Sequence, residues 1–239
     1  MTQTQLLKMC RLSVPEIDSI DVIEDDDLLL FLNLGCKEFI KVTDALPTSI
    51  TFNLIEDLTT YPLSTYVTSF GKIRKEGLWL YNSENTKWDQ LDSTTVSYLN
   101  KHYASWMNTR SQLPQRFSID GDDLTLHPKA SSTYAGDNYL KLFFFKRSLD
   151  MSDGSHYPFS GSTTEYPHLA DYEDVPVEYV RYKVKQMLKK NADAEEAKTT
   201  FYLKSADAKQ KLQYRPDLIP EVRAHGAGNL LFHKEAFKR

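Results

Sequence analysis

Cysteine is scarce in this chain: Cys10 and Cys36 are the only two among 239 residues. Two thiols without a secretion signal read as small, reduced, apolar side chains of a cytosolic product rather than as a disulfide framework. No apolar run approaches the ~20 residues needed to span a bilayer, so no membrane partner is expected. The opening MTQTQLLKMCRLS lacks the apolar centre of a signal peptide, and synthesis in a cytoplasm follows as the expectation. A strong excess of one charge is missing as well, since the formal net charge is -4 with 26% charged residues. That balance argues against a general nucleic-acid binder. It leaves room for a local basic patch, because net charge says nothing about distribution. Repeats and low-complexity tracts are absent.

Motifs that carry chemistry are missing too. The six histidines (His102, His127, His156, His168, His225 and His233) form no HExxH and no zinc spacing with cysteine. There is no GxSxG, P-loop or GxGxxG. Asp120-Gly121-Asp122-Asp123 resembles the opening of a calcium loop, but the EF-hand register and its distal Glu are lacking, so it reads as a turn. Glu24-Asp25-Asp26-Asp27 reads as the cap of a following helix, because four consecutive acids point in different directions and no matching ligand set follows. His156 and His168 bracket a loop beside Glu165, Asp171 and Glu173, the kind of neighbourhood a hydrolase or metal site uses. Polar loops of this composition produce such neighbours by chance. The expectation is a protein that is not an enzyme, with no cofactor and no metal.

What the chain does have is aromatic residues: 14 Tyr and 12 Phe, within 41% hydrophobic residues. With a mean hydropathy of -0.49, they predict a sheet-containing protein with much polar surface. The organising stretch is Phe117 to Arg147, FSIDGDDLTLHPKASSTYAGDNYLKLFFFKR. Phe117 and Ile119, then Leu124 and Leu126, alternate with polar neighbours around Asp120-Gly121-Asp122, which predicts a hairpin. Tyr139 to Phe145 predicts a stronger strand, apolar on both faces. Leu140, Leu142 and Phe144 take one face, and Tyr139, Phe143 and Phe145 the other, interrupted only by Lys141. Such a strand is normally covered on both sides, by sheet, helix or a neighbouring subunit.

On either side lie helices. Residues 3 to 10 predict a short one, ended before Ser13-Val14-Pro15. From Leu28 to Val42, Leu28, Leu32, Cys36 and Phe39 recur at helical spacing, widened by Leu29, Phe31 and Ile40, with Gly35 suited to close packing and Pro47 ending the helix. ITFNLI, YVTSFGKI and GLWLYNSENTKW then predict strands from Ile50 onward, with a hairpin around Asn82 to Asn85. Tyr98 to Met107 reads as a short helix or irregular stretch with Trp106 buried. Residues 148 to 172 read as a long polar loop. Pro176 opens a helix whose Val177, Val180, Val184, Met187 and Leu188 line one face. Asn191 to Asp193 separates it from a last helix facing Ala194, Ala197, Phe201, Ala208 and Leu212 inward. Lys183, Lys185, Lys189 and Lys190 crowd the end of the first of these two, as a solvent face or a phosphate-gripping one. Beyond Tyr214, Pro216, Pro220, Gly226 and Gly228 prevent regular structure. Leu218, Ile219, Leu230, Leu231, Phe232 and Phe237 are nonetheless too apolar for a solubilising tail, so the arm either packs back on its own domain or is ordered against another subunit.

The expected fold class is therefore α+β. A small α-helical bundle, 1–49 and 151–213, holds an inserted antiparallel β-region, 50–150, and carries an extended C-terminal arm, 214–239. This order of segments, with FSIDGDDLTLHPKAS followed by YLKLFFFKR, resembles the head–tail adaptor (connector) proteins of tailed bacteriophages over roughly residues 24 to 213. The resemblance implies a structural virion protein of the neck, made in the host cytoplasm. Its copies would form an oligomeric ring, commonly a dodecamer, beneath the portal. The ring would extend the DNA channel, pass genomic DNA without sequence specificity, and dock the tail or nozzle protein. The C-terminal arm, with Leu218, Ile219, Leu230, Leu231, Phe232 and Phe237, would reach a neighbouring subunit or the portal. Lys183, Lys185, Lys189 and Lys190 would face the channel or solvent. That family has no catalytic residues to carry over, and this chain departs from its smaller members by a longer β-region and arm. Two other classes stand beside it. One is a carbohydrate- or surface-binding β-module stacking sugars on Trp79, Trp88, Tyr98 or Trp106, residues that otherwise fill a core. The other is a hydrolase using His156 or His168.

Overall fold

The structure, a computed structural model, describes residues 3–15, 17, 23–103, 106, 110–148 and 167–213. The fold is α+β: a helical bundle interrupted by an inserted β-region, as the periodicities predict. The C-terminal arm expected from Tyr214 onward lies outside the described residues.

The bundle is built from α1 (Gln3–Ser13) and α2 (Asp25–Thr43) before the insertion, and α5 (Asp174–Met187) and α6 (Asn191–Gln213) after it. The acidic run does cap α2. The Glu24 side chain accepts from the Asp27 backbone, and the Glu24 N–H donates to Asp27 Oδ2 at 3.2 Å, a capping box that satisfies two orphan amides. Leu28, Leu32, Cys36 and Phe39 are buried as their spacing requires, against Leu6 and Cys10 of α1, Val180 and Val184 of α5, and Phe201 and Leu212 of α6. A Cβ on Gly35 would lie 2.9 Å from Tyr179 Cβ and 3.0 Å from the Pro176 carbonyl, so the α2–α5 approach depends on that glycine. Both cysteines are free and buried. Burial pushes the Cys10 thiol up to about 12 and raises Cys36 as well, with Cys10 adding to the effect.

Several boundaries differ from those expected. α2 ends at Thr43, where Asp44 takes a left-handed conformation and donates its N–H to the Ile40 carbonyl at 2.9 Å. Pro47 opens a strand instead of ending the helix, so the insertion begins at Pro47 rather than residue 50. The last two helices break at Leu188–Lys190, with Lys189 at φ 56°, and Asn191–Asp193 is already the first turn of α6. Met187 stands 48% exposed at the terminus of α5, outside the face formed by Val177, Val180 and Val184. Residues 167–172, read as the end of a loop, form a 3-10 helix because Leu169 and Tyr172, three apart, both insert into the bundle core.

Among the described residues, the insertion holds eight strands in two sheets of four. One has the order β1 (Pro47–Leu54), β8 (Gly136–Lys146), β3 (Phe70–Asn82), β4 (Lys87–Gln90). The other runs β2 (Thr60–Pro62), β7 (Asp123–His127), β6 (Arg116–Asp120), β5 (Asp92–Ser93). Every pair is antiparallel except β5 with β6. Leu78, Leu80, Leu140, Leu142 and Phe144 of the first sheet share one buried core with Tyr61, Phe117, Leu124 and Leu126 of the second. YVTSFGKI is not a strand of its own. Leu63–Tyr66 forms the short helix α3, and β3 runs unbroken from Phe70 to Asn82 with a register irregularity between Ile73 and Leu78. The predicted hairpin of β6 and β7 is present. Its turn residue Asp122 accepts the Ser64 N–H at 3.0 Å, tying the turn to α3. Pro47 pairs with Phe145, so the insertion leaves and rejoins the bundle at one place.

Candidate functional site

The two sheets hide their inner faces in the same way and treat their outer faces differently. On the second sheet, Ser118, Thr125 and His127 point away from the shared core and are buried nonetheless. Their cover comes from the segment after β5. Helix α4 (Val96–His102) begins at Thr95, whose hydroxyl accepts the Tyr98 N–H at 3.1 Å. It leads to Tyr103 and Trp106, whose rings lie 5.3 and 5.9 Å from His127. The Trp106 indole donates to Asn100 Oδ1 at 2.7 Å, and Arg116 both stacks on Tyr103 and donates to its hydroxyl. Burial, with the Arg116 charge beside it, holds His127 below the usual histidine range.

The first sheet's outer face has no such lid among the described residues. Period two places Tyr139, Lys141, Phe143 and Phe145 of β8 on it, and pairing adds Lys72, Trp79 and Tyr81 from β3 and Trp88 from β4. Over the rings lie cations rather than a helix. Lys72 Nζ sits 5.4 Å from the Phe145 centroid and Lys141 Nζ 5.2 Å from that of Phe143. The Arg74 guanidinium lies 5.7 and 5.9 Å from Phe145 and Phe143. Trp79 meets Phe143 edge-on at 6.4 Å, while Tyr81 lies 5.6 Å from Trp88 and 5.1 Å from Tyr139. Phe143 is buried by this cover, whereas Trp88 is 37% exposed.

At the Phe145 end this face runs into a cleft of about 800 Å³ between α2 and the root of the insertion. Lys37, Lys41, Lys72, Lys146 and Arg147 line it against one carboxylate, Asp44, with the hydroxyls of Thr68, Ser69 and Ser148 at its wall. Asp44 closes α2 and holds Lys72 at 2.7 Å, orienting that lysine between helix and sheet. The floor requires Gly71, because a Cβ there would fall 2.6 Å from the Phe145 carbonyl. Five cations and one acid line the cleft, with Lys72 paired to Asp44 and Lys41 3.6 Å from Glu38, in a chain of net charge -4. Arrangements of this kind bind anions.

The residues singled out from sequence are placed elsewhere or divided. Lys183 lies over the Tyr182 ring at 4.8 Å, and Lys185 is buried with its Nζ 3.7 Å from Asp193. Lys189 and Lys190 are exposed in the turn after α5. The four therefore do not present one common face. Leu218, Ile219, Leu230, Leu231, Phe232 and Phe237 lie outside the described residues, as does His156. His168 bonds the Ala45 carbonyl at 3.0 Å, which joins the 3-10 helix to the end of α2. Of the aromatics weighed for sugar stacking, Trp106 is buried and Tyr98 is on α4, leaving Trp79 and Trp88 together on the first sheet. Sequence reading missed the cleft. Its signals were Lys37 and Lys41 one turn apart on α2 and the KR that ends LFFFKR, but nothing local says these meet. Neither models of known families nor curated proteins yield a match to this chain.

Proposed function

We propose that the protein is a structural virion component of the neck. It is a head-to-tail adaptor whose copies form an oligomeric ring beneath the portal, extending the DNA channel and docking the tail. Two features support this reading. The first, which carries it, is the architecture: a helical bundle with an inserted antiparallel β-region joined to it at one place, the arrangement implied by the resemblance to phage connectors. The second is where apolar surface remains. Of the nine large apolar side chains exposed among the described residues, six are on bundle helices: Leu12, Leu30, Leu34, Met187, Tyr202 and Leu203. A bundle that leaves such residues uncovered is suited to packing against neighbouring copies.

In this reading the arm from Tyr214 to Arg239 reaches a neighbour or the portal through Leu218, Ile219, Leu230, Leu231, Phe232 and Phe237. The bundle core already closes at Leu212, so removing 214–239 should leave the fold intact and abolish assembly. The deciding experiment mixes the purified chain with the portal ring encoded in the same genome and counts copies by native mass spectrometry. A discrete complex with many copies per portal, lost on deletion of the arm, is the expected result. A folded full-length chain that gives no complex at high concentration would overturn the adaptor reading.

A further inference from the structure

We infer that the outer edge of β1 is a docking site for the C-terminal arm of a neighbouring copy, which joins the first sheet there as an added strand. Among the described residues, the strand order leaves β1, β4, β2 and β5 at the edges of the two sheets. Three of these are blunted. β5 has two residues, β2 has three and includes Pro62, and β4 carries Lys87 and Asp89, features that discourage further pairing. β1 has eight residues and no charge, and its proline stands only at the first position. The ladder fixes which of its groups are free. Lys146 donates its N–H to the Leu46 carbonyl at 3.0 Å, so in the pairing that follows, from Pro47 with Phe145 onward, the even-numbered residues of β1 bond β8. Ser49 and Thr51 therefore turn N–H and C=O outward. Both are exposed, and no described strand or backbone group meets them on that side. The core is also incomplete at this edge. Ile50 faces inward with its partner Leu142 yet is only partly buried, and Ile55, just beyond the strand, is 45% exposed.

An open edge takes up an extended segment through main-chain hydrogen bonds, and alternate side chains set which segment fits. The arm supplies one. Leu218-Ile219 is bracketed by Pro216 and Pro220, which lack an N–H, whereas residues 229–233 contain no proline, glycine, acid, lysine or arginine. Leu230 and Phe232 alternate there as Ile50 and Phe52 do in β1, so an added strand would turn both apolar pairs to the core side. The arm also begins in the right place. Lys211, in the last turn of α6, is within electrostatic range of Tyr172, whose ring lies 6.1 Å from Phe39 of α2. His168 of the same 3-10 helix bonds the carbonyl of Ala45, just ahead of β1, at 3.0 Å. The chain therefore leaves the bundle at the end where the insertion is rooted. The 15 residues between Gln213 and Asn229 span up to about 50 Å when extended. In a ring all copies stand at one level, so an arm that leaves beside its own β1 meets the same edge on the next copy. The inference rests on the reading that copies assemble through the arm, and adds where the arm docks.

The test is made on the full-length chain. Thr51→Pro removes an N–H that no described residue accepts, and proline is tolerated at an edge position of that kind. Its thermal melt should match that of the wild type, while native mass spectrometry should show loss of the many-copy complex on the portal ring. Ser49→Lys charges the edge without touching the backbone and should have the same effect, which decides the matter if the proline variant folds poorly. Cross-linking then locates the arm. Chains carrying Thr51→Cys are mixed with chains carrying Leu231→Cys, so that a short bismaleimide joins the two positions only between copies. Cys10 and Cys36 are buried in the bundle core and stay out of reach. A covalent dimer on a denaturing gel, absent from either variant alone, is the expected result. A wild-type complex that Ser49→Lys and a folded Thr51→Pro form equally well overturns the inference and leaves the adaptor reading standing. A wild-type chain that forms no complex overturns both. If the mixture gives no dimer and a chain carrying both cysteines is joined only to itself, the inference is overturned in favour of an arm folded onto its own β1.

Discussion

The outer faces of the two sheets solve one problem by opposite means. Both belong to strands with side chains that need cover, and both sheets press their inner faces into the same core. The second sheet is closed by its own chain, with α4, Tyr103 and Trp106 laid over polar Ser118, Thr125 and His127. Among the described residues, the first has Lys72, Arg74 and Lys141 resting on Phe143 and Phe145, and Trp88 is exposed at its edge. Long cationic side chains lay their methylenes along apolar surface while the charge stays near water. Here Arg74 is 9% exposed and paired with Glu76, and Lys72 is 58% exposed and paired with Asp44, so this cover is made of charged side chains, whereas on the other sheet it is an indole packed beside a helix. The difference separates a face closed by a helix and an indole from one lined by charged side chains with Trp88 exposed.

That comparison is broken most severely at Trp106. Trp106→Ala should cost about 3–5 kcal/mol of unfolding free energy, because it removes a buried indole and one of the two rings that cover His127. Urea denaturation measures it, and a loss below about 1 kcal/mol would show that the second face is not closed as described. A subtler probe of the same lid is pH. His127 is held below its ordinary value of 6.5, first by burial and then by Arg116, so the folded state binds fewer protons than the unfolded one. Stability should therefore fall as pH drops below 6.5 and level off beneath the folded-state pKa, and His127→Gln should flatten that slope in thermal melts across pH. The smallest effect belongs to the open face, where Trp88→Ala should change stability by no more than about 0.5 kcal/mol. A large loss there would mean that Trp88 is structural and the two faces are alike.

Much of this architecture was visible as periodicity. The stripe Leu28, Leu32, Cys36, Phe39 defined α2, the alternation around Asp120-Gly121-Asp122 defined a hairpin, and the small residues of α6 marked a packed face. Boundaries were less visible, because they depend on what a residue touches. Pro47 looks like a helix stop and is a strand opener, since its partner Phe145 is a hundred residues away in the chain. Leu169 and Tyr172 look like loop residues until the bundle core receives them. The candidate site was the least visible. Lysines were sought where they are dense, after Val180, yet Lys185 is consumed by Asp193 and Lys183 by tyrosine rings.

What the sequence by itself determined is the class of structure: which segments are helix or strand, which faces are apolar, and that β8 needs cover on both sides. Those properties follow from the 3.6- and 2-residue periods, which neighbouring residues set among themselves. Tertiary structure alone decided what provides the cover and where charge accumulates. Lys37, Lys72 and Arg147 are far apart in the chain and share a cleft only because the insertion returns to the bundle beside the end of α2. Electrostatic potential sums over distance in space and not along the sequence, so a chain of net charge -4 carries its basic site where folding brings those cations together.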